Sequence, residues 1–110
     1  NIPGTLTELA VPTSIKQVSS EIPQNYKLKQ NYPNPFNPVT NIRFKISNAG
    51  NTKITVFDLP GKEVETLVNQ YLQAGADEVN FNAANLTSGI YFYKLSSSDF
   101  TDVKRMILIK

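Results

Sequence analysis

Short runs of β-branched and aromatic residues, each bounded by Gly, Pro, Asn, Asp or Ser, recur from Tyr26 to the end of this chain, and no helical stripe competes with them. The clearest is TNIRFKI at 40–46, where Ile42, Phe44 and Ile46 fall on one face and Arg43 and Lys45 on the other. Such alternation fits a strand buried on one side only, which needs a second sheet to cover it. Further runs are YKLKQ at 26–30, TKITVFDL at 52–59, KEVETLV at 62–68, AGADEVNFNA at 74–83, GIYFYKLSS at 89–97 and DVKRMILIK at 102–110. About seven strands, spaced roughly 8–12 residues apart, predict an all-β, immunoglobulin-like antiparallel β-sandwich.

The core is expected around Ile42, Phe44, Ile54, Val56, Val79, Phe81 and Leu95. GIYFYKLSS, apolar on both faces, is expected at the centre of a sheet. LPGK at 59–62 reads as a type II turn with Pro60 second and Gly61 third, where positive φ is required. NQYLQ at 69–73 has room only for a helical turn.

Before the alternating runs stands NYPNPFNP at 31–38. Pro33, Pro35 and Pro38 each lack a backbone donor and push the preceding residue out of the helical region, so the stretch is extended and shaped. Asn34 and Asn37 are candidates for Asx turns onto their own backbone, and Tyr32 and Phe36 offer rings to dock on a core edge. Residues 1–25, rich in Pro, Ser and Thr with scattered apolar positions, read as a linker or the tail of a preceding domain. Pro12 to Pro23 reads as its most mobile part, open to peptidases, and TLTELAV at 5–11 as the last strand of that domain or a loosely docked arm. The folded unit is expected to span 26–110. A start at Asn1 suggests a piece of something longer, with any export signal upstream.

Composition narrows the chemistry. Without cysteine, histidine or tryptophan, the 110-residue chain has no disulfide, no thiolate or imidazole nucleophile and no common zinc ligand set. Nine Lys and two Arg against nine acids give a net charge of +2 with no basic stripe, so nucleic acid is a poor partner. No long apolar run spans a membrane. Glu63 and Glu65 read as a solvated strand edge rather than an acid–base pair, since nothing beside them raises one pKa. Asp99 and Asp102 lack the remainder of a calcium loop. Tyr91, Phe92 and Tyr93 alternate sides of a strand, so core is the better reading than a sugar platform. Gly61, Gly75 and Gly89 sit at separate turns and make no phosphate cradle. The chain is therefore expected to be no enzyme and to need no cofactor or metal.

Taken together, QNYPNPFNPVTNIRF at 30–44, FDLPGKEVETLV at 57–68, LTSGIYFYKL at 86–95 and KRMILIK at 104–110 resemble the type A carboxy-terminal sorting domain of the type IX secretion system, in order and at that family's spacing. The resemblance implies an immunoglobulin-like sandwich that is an address for a larger secreted protein rather than an enzyme. The implied partners are the outer-membrane secretion translocon, a sortase-like cysteine peptidase that cuts in the preceding linker, and a covalently linked upstream passenger. The implied route runs through the periplasm and outer membrane to the cell surface, by lipopolysaccharide attachment, or to release. Carried over by position, the sorting motifs are Asn31, Pro33, Pro35, Phe36 and Pro38; Gly61, Lys62 and Val64; Gly89 and Tyr91; and Lys104, Arg105, Ile107, Leu108, Ile109 and Lys110. Pro60, directly before Gly61, departs from the family pattern.

The last run makes that role physically sensible: at a sheet edge, Met106 to Ile109 would offer main-chain groups and apolar side chains for β-augmentation. Lys104, Arg105 and Lys110 would guard the edge against unwanted pairing and offer charge to a receptor. An accessory immunoglobulin-like or carbohydrate-binding module of a secreted enzyme is the alternative, with a small hydrolase a distant third.

Overall fold

The computed structural model describes residues 15–19 and 21–110, and the stretch at 5–11 lies outside them. Eight strands run in chain order: β1 (Ile15–Ser19), β2 (Lys27–Leu28), β3 (Val39–Ile46), β4 (Gly50–Asp58), β5 (Glu63–Leu72), β6 (Gly75–Asn82), β7 (Gly89–Ser97) and β8 (Phe100–Leu108). They form two four-stranded antiparallel sheets, ordered β1-β6-β3-β2 and β5-β4-β7-β8. This is the expected immunoglobulin-like sandwich with one strand more. GIYFYKLSS is central as β7, but only one of its faces is buried, because a two-layer fold leaves the outer face of each sheet to solvent.

The alternation in β3 turns Ile42, Phe44 and Ile46 fully inward, against Ile54, Val56 and Leu95 of the facing sheet and beside Val79 and Phe81 of β6. At about 25 cal/mol per Å² of apolar surface removed from water, each such side chain stabilises the fold by about 1.5–3 kcal/mol relative to exposure.

The extra strand is β1, inside the region read as linker. It is invisible to pattern because its middle three residues are all exposed. Pairing with β6 uses main-chain groups that any sequence possesses, and Ile15 packs on the core rim. The segment at 69–73 also departs from expectation: through Leu72 it continues β5, held by pairing to β4 down to Gly50. Two irregularities in that pairing leave Val64 and Leu67 as extra residues, and the second turns Leu67 and Val68 inward together.

The β4–β5 turn closes one residue earlier than read. Gly61 N–H donates to Asp58 C=O at 2.9 Å, making Asp58 the first turn residue and placing Gly61 fourth. The reason is the Asp58 carboxylate, which also accepts from Gly61 N–H at 3.1 Å and Lys62 N–H at 2.7 Å. Gly61 still has φ of 102°, so the glycine requirement stands at a different position.

Candidate functional site at the edge of β8

β8 pairs with β7 along its whole length and is an edge strand among the described residues. Its outward main-chain groups are nevertheless occupied between Arg105 and Ile109. The segment after β2 leaves the first sheet, crosses to β8 and returns as β3. Tyr32 exchanges both main-chain hydrogen bonds with Asn41 of β3, at 3.0 Å each, and four residues on Phe36 bridges Leu108 in parallel orientation. Phe36 N–H donates to Ile107 C=O at 2.9 Å, and Ile109 N–H donates to Phe36 C=O at 3.0 Å. Asn34 Oδ1 accepts from Ile107 N–H at 2.9 Å, and Gln30 Nε2 donates to Arg105 C=O at 2.6 Å. Residues 30–36 are thus a strap over the open side of β8.

The strap is anchored from inside. The Phe36 ring is 2% exposed and lies 6.0 Å from the Phe81 ring in a tilted pair. Asn31, buried, donates through Nδ2 to Pro33 C=O and to Thr40 Oγ1, and the Thr40 hydroxyl donates to the same carbonyl at 2.8 Å. Tyr93 O–H donates to Lys29 C=O at 2.7 Å from within the core; burial pushes that phenol's pKa up, so it is a neutral donor at any physiological pH. Both X–Pro bonds of the strap, Tyr32–Pro33 and Asn34–Pro35, are cis, as is Asn37–Pro38 just after it.

Two expectations for the strap are corrected. Tyr32 does not dock: it is 80% exposed, because residues alternate sides along an extended segment and Asn31 takes the inward position. Asn34 makes no local Asx turn; its amide oxygen reaches across to β8, and the neighbouring Asn31 supplies the contact to Pro33. Asn37 is exposed, and Pro38 C=O accepts from Ala83 N–H at the start of the 83–88 loop.

The remaining motifs converge on the same end of the second sheet. Asp58 of β4, Tyr91 of β7 and Met106 of β8 stand in one row across that sheet, and Gly89 pairs with Leu108. The turn holding Gly61 and Lys62, the loop before Gly89, the strap's Phe36 and the last residues of the chain therefore all lie beyond that row. Tyr91 donates its O–H to Thr87 C=O at 2.7 Å, the tyrosine-corner arrangement in which a core tyrosine ties down the turn before its own strand. Tyr91 and Tyr93 point inward and Phe92 outward, so the three rings make no shared platform. Val64, half-buried, is the first extra residue of β5.

The basic residues divide. Lys110 folds back, its Nζ donating to Ala84 C=O at 2.7 Å and Leu86 C=O at 2.9 Å while its N–H donates to Ser88 Oγ at 2.9 Å. Its charge is thus spent on the 83–88 loop, where sequence reading had it guarding the edge. Arg105 is exposed on the outer face with Ile109, which is 53% exposed, whereas Lys104 is half-buried and Leu108 faces the core. Three residues that matter here escaped notice in the sequence, Gln30, Thr40 and Ser88, and Tyr93 was read as core without its hydroxyl contact to the strap's approach. Thr40 alone carried a signal, as a hydroxyl at the inward phase of β3.

Among the described residues, no three Asp, Glu, His or Cys side chains gather into a metal-binding group, and no helix is long and apolar enough to cross a membrane. Glu65 has its pKa raised by partial burial, but it stands on an exposed edge away from the strap.

Residues 30–110 match the family described as the secretion system C-terminal sorting domain, starting at the first strap residue that touches β8. The chain belongs to that family. No curated protein matches. Among solved structures, a chain from work on PorZ, a surface component of the type IX secretion system of Porphyromonas gingivalis, superposes with a TM-score of 0.53 at 21% identity over 74% of this chain. This chain spans 11% of that one, and the likeness shows a shared fold. Residues 30–110 are the C-terminal sorting signal of type IX secretion. A sorting domain of this kind is not catalytic; it interacts with the secretion system and implies delivery to the cell surface or the extracellular space.

Proposed function

We propose that this domain carries a covalently linked upstream passenger from the periplasm through the outer-membrane translocon, and that β8 is the element the translocon captures. What supports this is the position of β8: an edge strand whose outer face carries Arg105, Ile107 and Ile109, with the strap against it and the β4–β5 turn at the same end of the sheet. Phe36, Asn31, Tyr91 and Gly61 act on this reading as positioning residues that hold the edge, the 83–88 loop and the β4–β5 turn in place. Of the terminal motif, Arg105, Ile107 and Ile109 form the part presented, while Lys104 is half-buried, Leu108 packs in the core and Lys110 ties the end of the chain to the 83–88 loop. A sortase-like cysteine peptidase then cuts upstream of the domain, and the passenger is released or attached to a lipopolysaccharide anchor. The folded unit for this purpose is 26–110, with β1 as an added brace on β6.

The test is a passenger with its own inner-membrane export signal, fused before the 110-residue chain in a host that has this secretion system. Removing Ile107 to Lys110 should leave the passenger in the periplasm, while thermal melts report how much of the sandwich survives. Normal export of a folded truncation would overturn the reading.

A further inference from the structure

The outer edge of β8 is a strand-docking surface already filled by the chain's own residues 30–36. We propose that this strap guards the edge in cis, and that it lifts so that an extended segment of the secretion machinery pairs with β8 in its place. That segment runs parallel to β8 and sets an apolar side chain where Phe36 sat. The proposal rests on the reading that β8 is what the machinery captures.

Three observations carry it. First, the strap covers the edge without becoming a strand. Pro33 and Pro35 have no N–H to give, so contact with β8 reduces to one main-chain bridge at Phe36 plus the exposed side-chain amides of Gln30 and Asn34. An incoming strand with a full set of donors would make more ladder bonds than the strap can, and this difference favours exchange. Second, β8 does not depend on the strap for its place in the sheet. Its other side is paired without interruption from Phe100 with Ser97 to Leu108 with Gly89, so the strap can leave while the strand stays. Third, departure of Phe36 opens a slot beside Phe81 and Leu108, both fully buried while it is there. That slot holds the strap closed in the absence of a competitor and fixes the chemistry of the replacement, which must bring an aromatic or large aliphatic residue to it.

Two measurements on the 110-residue chain and its passenger fusion decide the matter. In native-state hydrogen exchange, the Ile107 and Ile109 amides, which face the strap, should exchange through a small opening with weak denaturant dependence. The Met106 and Leu108 amides, which face β7 by alternation, should exchange only with global unfolding. The double variant Gln30→Ala/Asn34→Ala removes two exposed contacts from the strap and leaves Phe36 in place. It should speed exchange at Ile107 and raise the rate of passenger export above that of the unaltered fusion. Equal exchange at all four amides, or no acceleration in the variant, would overturn the proposal. So would unchanged or slower export from a loosened strap, since the machinery would then be reading strap and strand together as one closed surface. Export by the fusion lacking Ile107 to Lys110 would instead remove the underlying reading of β8, an outcome distinguishable because the exchange result stands apart from it.

Discussion

β5 and β8 close the two sides of one sheet, and each is protected from pairing with other chains in its own way. β5 guards itself. Two extra residues, Val64 and Leu67, break its ladder and twist it, and Glu63, Glu65, Asn69 and Gln70 line it with exposed polar groups. β8 is unbroken and flat in register, and its cover arrives from a segment far away in sequence. A guard built into a strand leaves only if the strand changes, whereas a borrowed guard leaves by local motion. The run KRMILIK, read from the sequence as the terminal sorting motif, sits on the edge with the borrowed guard.

The largest expected effect is that of Phe36→Ala. Deleting this buried ring should destabilise the domain by about 3–5 kcal/mol in urea melts and expose β8 to self-association, visible as concentration-dependent light scattering. If the variant melts like the parent, the strap contributes nothing to closing β8, and the contrast with β5 fails.

Asp58→Ala tests the self-guarded side. Its carboxylate binds the N–H groups of Gly61 and Lys62, and its loss should cost about 1–2 kcal/mol without promoting self-association, because the irregularities of β5 remain. Aggregation of this variant on the scale of Phe36→Ala would mean that the turn, and not the extra residues, protects β5.

Tyr91→Phe should cost about 0.5–1.5 kcal/mol, the usual net worth of one hydrogen bond, since the ring stays packed while the Thr87 carbonyl loses its donor. Faster exchange confined to the 83–88 loop, with the strap unaffected, would separate the support of the chain's last residues from that of the strap.

The smallest effect belongs to Asp77, on β6 of the other sheet. Burial raises its carboxyl pKa above the usual 3.8 by disfavouring the charged form. A carboxyl raised in the folded state contributes stability that is fully present below its unfolded pKa and is lost as pH rises through the folded value. Asp77→Asn should therefore match the parent at about pH 3 and melt slightly higher at about pH 7, and a variant less stable at neutral pH would show the charge to be paired.

Where burial wrote a pattern, the fold was legible. β3 could be read residue by residue, as could the inward positions of β4 and β6, because one face of each had to be apolar, whereas β7, apolar on both faces in sequence, did not show which side was buried. β1 could not be read, since its pairing is made by main chain and its middle three side chains face water. Nor was the continuation of β5 legible, because extra residues break the phase on which strand reading relies.

The candidate site divides along the same line. By itself the sequence determined that NYPNPFNP is extended and non-helical, that Gly61 sits in a turn, that the last run is a strand, and which family these motifs resemble, because each follows from local backbone restriction or residue order. Only the tertiary structure decided that Phe36 docks and Tyr32 does not, that Asn34 reaches β8, that Lys110 turns back onto its own loop, and that the edge of β8 is covered. Those outcomes depend on which groups distant in sequence meet across the seam between two sheets, and main-chain donors and acceptors, alike at every residue, leave no mark in the sequence to say where their partners are.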